Sequence, residues 1–210
     1  MALLHDATIS PRKDELIRPW LRTRPWWDGI DERGPVGDFR LDDPAGEVGI
    51  QCFLFGSADG STLFVPVTYR GAPHPDAESG LIGTMQHSVL GPRWVYDGCA
   101  DPVFVATAVD TIRNRGREAA LHLRRSDGSV VVRESTASAR GDGSANVPQL
   151  DADGSVSAAD EVDRTVVRAD GLILTVARRV GAALPSGPAL IGAFAGGTDL
   201  LLATVTSGPA

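Results

Sequence analysis

Between positions 93 and 101 the residues Arg93, Trp94, Tyr96, Asp97 and Asp101 fall close together. A guanidinium, two aromatic rings and two carboxylates in one loop can hold a ligand by stacking and charged hydrogen bonds, or can face a partner protein. Asp97 follows a strand-like run, where it either pairs with an arginine or faces a ligand. Asp101 stands directly before Pro102, the pattern of a helix N-cap, whose carboxylate accepts from the first free amides of the helix. Cys99 shares the loop and, with His87 upstream, has the residue types of a thiol–imidazole pair. Carboxylates beside a thiol raise its pKa, however, which is the wrong direction for a nucleophile, so Cys99 is expected to be structural. Cys52 lies on the alternation Val48, Ile50, Cys52, Leu54 and reads as core. Two cysteines are too few for a disulfide framework.

Other chemistries find less support. No Walker loop and no Gly-x-Gly-x-x-Gly turn is present, and no Gly-x-Ser-x-Gly elbow. Lys13 is the sole lysine and falls in an expected N-terminal helix, where it cannot serve as the strand lysine of a protein-kinase-type site. His5, His74, His87 and His122 are scattered without zinc-ligand spacing. Twelve positions counted from Gln149 put Asp151 at three, Asp153 at five, Gly154 at six and Asp160 at twelve, an EF-hand-like pattern. Position one lacks its aspartate and no helical periodicity flanks the loop, so an acidic, unstructured insertion accounts for the same letters. These readings predict no catalytic set, no cofactor and no metal, with the loop 93–101 as the candidate ligand or partner surface.

The elements around these residues suggest an α+β chain rich in antiparallel strands. Ser10 and Pro11 read as N-cap and first position of a helix carrying Leu16, Ile17, Trp20 and Leu21 on one face. Pro19 weakens that helix and Pro25 ends the segment before Trp26 and Trp27, which, with Trp20, read as anchors between helix and sheet or as a sugar-stacking surface. Asp59-Gly60, Asp127-Gly128 and Asp170-Gly171 mark hairpins, and Gly196-Gly197 a last turn. Pro66 places its strand at a sheet edge or bulge. From Pro102 a helix presents Phe104, Ala108 and Ile112, with Arg113 and Arg115 in its last turn and Gly116 closing it. Residues 136–160 hold few large apolar side chains and read as a mobile insertion in a single domain spanning 1–210. Net charge −7 argues against a nucleic-acid partner, since a phosphate track needs clustered positive charge. No apolar run approaches the roughly 20 residues of a membrane helix, and the start lacks a signal-peptide core, so a cytoplasmic location without a membrane partner is expected.

The stretches "FVPVTYRGAP" (64–73), "LIGTMQHSVLG" (81–91) and "WVYDGCADPVF" (94–104) resemble the N-terminal cap domain of actinobacterial maltokinases, and more closely small stand-alone cap-like proteins. The resemblance covers about Val36 to Gly116. It implies a cystatin-like curved antiparallel sheet packed on a long helix, with the hairpins after Gly116 as additions. In the kinases the cap packs on a catalytic body whose nucleotide and sugar residues have no counterparts here. The resemblance therefore implies a non-catalytic accessory or regulatory protein binding an enzyme of trehalose, maltose or glycogen (α-glucan) metabolism. Two alternatives stay open, a carbohydrate or sugar-phosphate binding module and an enzyme with an unrecognised site. Also open are the oligomeric state and whether the last hairpins extend the first sheet or form another.

Overall fold

Alternating apolar side chains dictate the first sheet and decide what each of its faces must cover. The computed structural model describes residues 2–27, 29–57, 59–144, 146–194 and 197–208. Along the chain come β1 (Ala2–His5), β2 (Ile9–Ser10), α1 (Lys13–Leu21), β3 (Ile30–Leu41), β4 (Gly49–Ser57), β5 (Thr62–Arg70), β6 (Leu81–His87), β7 (Gly91–Asp97), α2 (Pro102–Arg113), β8 (Leu121–Arg124), β9 (Val130–Arg133), β10 (Ala137–Gly141), β11 (Ser157–Asp160), β12 (Arg164–Ala169), β13 (Leu172–Ala177), β14 (Ala189–Phe194) and β15 (Gly197–Ser207). Strands β2 to β7 pair antiparallel in the order β2-β6-β7-β5-β4-β3. Ile50, Cys52 and Leu54 of β4 join Phe39 and Phe64 in one core cluster with α2, as alternation requires. Phe53 and Phe55 go to the opposite face, clustering with Val65, Val67, Trp26 and Ile17 and Leu21 of α1. Burial on both faces explains why β5 is buried from Leu63 to Tyr69 without interruption.

The strand carrying Pro66 lies inside the sheet, not at its edge. Pro66 pairs with Cys52 of β4, while the β5–β7 ladder begins only at Val67. The missing amide thus falls beyond the end of the second ladder, where it deprives no neighbour. The first helix also starts later than expected. Ser10 is held extended in β2, opposite Gln86, so the helix opens at Lys13, where the Arg12 amide donates to the Glu15 carboxylate at 2.9 Å. Pro19 sits in the last turn, two residues before the end at Leu21.

After α2 the chain builds a second six-stranded antiparallel sheet in the order β10-β14-β15-β13-β12-β11. The late hairpins therefore make a sheet of their own. The Asp170-Gly171 turn has positive φ at both residues, 42° and 75°, as an Asp-Gly hairpin needs. Of the last turn, Gly196 lies outside the described residues. A third sheet, β1-β8-β9, pairs β1 parallel to β8, an exception to the antiparallel pattern expected.

Between the two large sheets lies α2, 12 residues and therefore of ordinary helix length. Every residue from Pro102 to Ile112 except Asp110 is buried, so the apolar face expected at Phe104, Ala108 and Ile112 is only part of an all-round apolar helix. Leu174, Val176, Leu190, Leu202 and Val205 of the second sheet share its cluster. Gly141 allows this approach, since a Cβ there would stand 2.0 Å from the Thr111 carbonyl oxygen. At the helix end the Gly116 amide returns to the Thr111 carbonyl at 2.8 Å, with Arg115 taking the left-handed position (φ 54°). The segment 136–160, expected to be a mobile insertion, contributes both edge strands of the second sheet, β10 and β11, and buries Val147 and Leu150. Small residues suffice there because β10 packs close to α2.

Asp101 caps α2 as expected, accepting from the Val103 amide at 2.9 Å, and also holds Arg70 through two bonds of 2.7 and 2.6 Å and Thr68 Oγ1 at 2.6 Å. Asp101→Ala should therefore cost on the order of 3–5 kcal/mol, as breaking a buried pair does, against ~1 kcal/mol for a cap alone. Urea midpoints measure the difference, with Asp101→Asn falling between; a loss near the lower figure for alanine would show that the Arg70 pair adds nothing. Amide exchange should find Ala137–Gly141 protected by its ladder to β14, and rapid exchange throughout that strand would contradict the pairing.

Candidate functional site

The loop 93–101 is brought together as the sequence suggests, but its polar groups turn inward. Asp97 Oδ2 accepts from Arg178 Nη2 at 2.5 Å and Asp97 Oδ1 from the Cys99 amide at 3.2 Å. Arg178 is fully buried, donates Nε–H to Thr165 Oγ1 at 2.6 Å and lies 4.8 Å over the Trp26 ring. Burial pushes the Asp97 carboxyl above its ordinary value, against the pull of the Arg178 charge. Tyr96 is buried, its hydroxyl accepting from the His74 amide at 2.9 Å. Asp101 is committed to Arg70 and Thr68. Arg93 Nη2 donates to the Leu90 carbonyl at 2.7 Å, and Trp94 is half-buried on β7 opposite Arg70 and Thr84. Cys99 is buried beneath α2, and burial pushes its thiol far up; Cys52 is likewise core.

The acidic loop 149–160 does not converge. Asp151 Oδ1 caps the Asp153 amide at 3.0 Å, while Asp160 accepts from Thr165 Oγ1 at 2.5 Å and faces Arg24 at 3.6 Å. Among the described residues no group of three or more His, Cys, Asp or Glu is placed to hold a metal ion. Trp20 and Trp26 meet edge to face at 5.7 Å, and Arg24 lies 5.1 Å over Trp20; with Trp27 they pack on the α1 side of the first sheet as anchors.

A cavity of about 620 Å³ opens between the first sheet and the β1-β8-β9 sheet. Its polar floor centres on Gln51, whose Oε1 accepts from Lys13 Nζ at 2.7 Å, Tyr69 Oη at 3.2 Å and Arg40 Nη2 at 3.4 Å, while its Nε2 donates to Asp38 Oδ2 at 2.8 Å. Lys13 Nζ also lies 5.0 Å from the Tyr69 ring centre. Burial, then the Arg40 charge, lowers the Lys13 ammonium to about 7, with Asp38 opposing and Arg133 assisting. His87, also on the wall, is lowered by burial and by His5, Arg93, Lys13 and Arg40. A near-neutral lysine beside an arginine and a tyrosine can bind an anion or exchange a proton.

The sequence reading passed over this site, although two signals existed. A lysine in the first helical turn opposes the helix dipole, and Gln51 interrupts the apolar run Ile50–Phe55 on the face that carries Phe53 and Phe55. Between pH 7 and 10 the unfolded chain keeps the lysine proton and the folded chain releases it, so stability should rise with pH across that window, by at most about 1.4 kcal/mol per unit from this group. Lys13→Met should remove that rise; an unchanged slope in urea titrations at pH 7, 8 and 9 would show that Lys13 is not so perturbed.

Compared with known proteins, residues 20–101 match the maltokinase N-terminal cap domain family. No curated protein matches the chain. The match runs from the end of α1 through the first sheet to the N-cap of α2, so it begins earlier and stops sooner than the resemblance at 36–116 suggested. It contains the loop 93–101 and the Arg40, Gln51 and Tyr69 part of the cavity floor, whereas Lys13 and the third sheet lie outside it. Residues 20–101 are thus similar to the maltokinase N-terminal cap domain, and α1 and a second sheet flank them in this chain.

Proposed function

We propose that this is an accessory or regulatory protein, without catalysis of its own, that binds a partner enzyme of α-glucan metabolism in the setting of trehalose, maltose and glycogen. The observation that carries this reading is the match of residues 20–101 to a domain that serves maltokinases as a cap. The antiparallel sheet with α2 against one face supports the reading of a cap-like curved sheet packed on a helix. The chain is read as one unit, because α2 and both large sheets share a single core cluster. The loop 93–101 is read as scaffold: its two carboxylates are spent on Arg178 and Arg70. A second reading, a carbohydrate or sugar-phosphate binding module, is favoured by one specific observation, the cavity around Gln51 with its charged floor.

Mass photometry with purified maltokinase and trehalose synthase at micromolar concentration should reveal a complex with one of them, and the absence of any complex would remove the first reading. Asp97→Asn leaves Arg178 buried without its counter-charge, so it should lower the melting temperature by on the order of 5 °C. Complex formation by the folded variant should be unchanged. Loss of the complex with melting unaltered would show that the loop is itself the binding surface.

A further inference from the structure

The cavity floor holds more hydrogen-bond donors than the protein uses. Lys13 carries three N–H groups and Arg40 five. Among the described residues the side chain of each has Gln51 Oε1 as its acceptor and no carboxylate within ion-pair distance. Of the five carboxylates that line the cavity, Asp38 and Asp43 are engaged elsewhere. Asp38 accepts from Gln51 Nε2 and Thr136 Oγ1, and Asp43 takes the amides of Ala45, Glu47 and Val48 to close its own turn. Asp42, Glu47 and Glu134 are exposed at the rim. Against this floor stand apolar walls from Leu4, Met85, Leu121 and Leu123, and a volume of about 620 Å³ is within the range that holds small metabolites. Two desolvated cations without a dedicated counter-charge form a site that lacks an anion.

We propose that this cavity binds a small oxyanionic metabolite, a phosphate monoester or a carboxylate on a polyhydroxylated body, with the anionic group held by Lys13 and Arg40. The proposal rests on the second reading above, that the cavity is a small-molecule site, and adds the charge class of the ligand. The charged and titratable groups that line the cavity with Lys13 are Arg40 and Asp38 on β3, Asp42, Asp43 and Glu47 between β3 and β4, Tyr69 on β5, His87 on β6, Arg93 on β7, Arg133 on β9 with Glu134 after it, and His5 on β1. An anion seated beside Lys13 adds an opposite charge where Arg40 and Arg133 act against the ammonium and Asp38 alone supports it, and so restores the Lys13 proton. Binding is therefore linked to proton uptake above neutral pH.

Lys13 is the sole lysine, so lysine labelled at Cε gives one side-chain resonance that needs no assignment. The test titrates the labelled full chain with inorganic phosphate, glucose 6-phosphate, glucuronate, glucose and maltose, and repeats the titrations by calorimetry at pH 6.5 and 8.5 in two buffers of different ionisation enthalpy. Phosphate and glucose 6-phosphate binding without glucuronate identifies a phosphate ester, and glucuronate alone a carboxylate. Either way the anion should shift the lysine resonance to its protonated position, take up close to one proton at pH 8.5, and bind on the order of tenfold more weakly there than at pH 6.5. Lys13→Met and Arg40→Met should each weaken it at least tenfold. If either variant fails to fold, proton uptake by the unaltered chain decides. Glucose or maltose binding with no anion bound overturns the charge assignment but leaves the cavity as a small-molecule site. A lysine resonance unmoved by all five overturns both.

Discussion

Arg178 has no contact with solvent, and its guanidinium meets the Asp97 carboxylate at 2.5 Å. The two residues come from different sheets, Asp97 from the end of β7 and Arg178 from just after β13. A buried guanidinium without a counter-charge costs several kcal/mol, so any other seating of the second sheet on the first is disfavoured. The backbone reinforces this, since the Phe64 amide donates to the Arg178 carbonyl at 2.9 Å and Val180 to Thr62 at 2.8 Å. Between sheets pinned at that point, α2 is left only a narrow edge at Asp110 and Arg113 for water, which is why the rest of its sequence is mostly apolar. The same guanidinium lies over Trp26, so the helix–sheet cluster on the far side of the first sheet is tied to the same contact.

Two kinds of polar group follow from this construction. In the loop 93–101 each carboxylate meets an arginine from another strand, and the result is fixed geometry. Around Gln51 one amide oxygen serves three donors, and the result is unspent binding capacity. Both gather charged side chains away from solvent, and both look alike in sequence. What separates them is whether a facing segment supplies a partner, as the residues just after β13 do for Asp97 through Arg178 and β5 does for Asp101 through Arg70.

Much of the fold was legible because it rests on local rules. The alternation at Val48–Leu54, the Asp-Gly turns and the Asp101-Pro102 helix start each specify structure within a few residues. The placement of Ser10 and Pro66 was not, since each depends on a strand distant in sequence, Gln86 for the one and the short β7 ladder for the other. The strands at the two ends of the segment 136–160 were not legible for a related reason. Its alanines and glycine look too small to build a core, yet small size is what lets β10 approach α2, and no local count of apolar residues expresses that. The cavity was hidden because its floor is assembled from α1, β3, β4 and β5, which converge only in three dimensions.

Why the one lysine stands at position 13 can be argued from its neighbours. Arginine keeps its charge at any accessible pH, so a second arginine beside Arg40 would lock two like charges into a desolvated cavity whether or not anything bound there. A lysine can release its proton, and the burial and the Arg40 charge that lower it to about 7 are the conditions under which it does so. The empty cavity then carries one charge fewer, while an incoming anion reverses the balance and brings the proton back. Placing that lysine at the start of α1 adds the positive end of the helix dipole, which favours the neutral amine when the cavity is empty and favours an anion beside it when the cavity is filled.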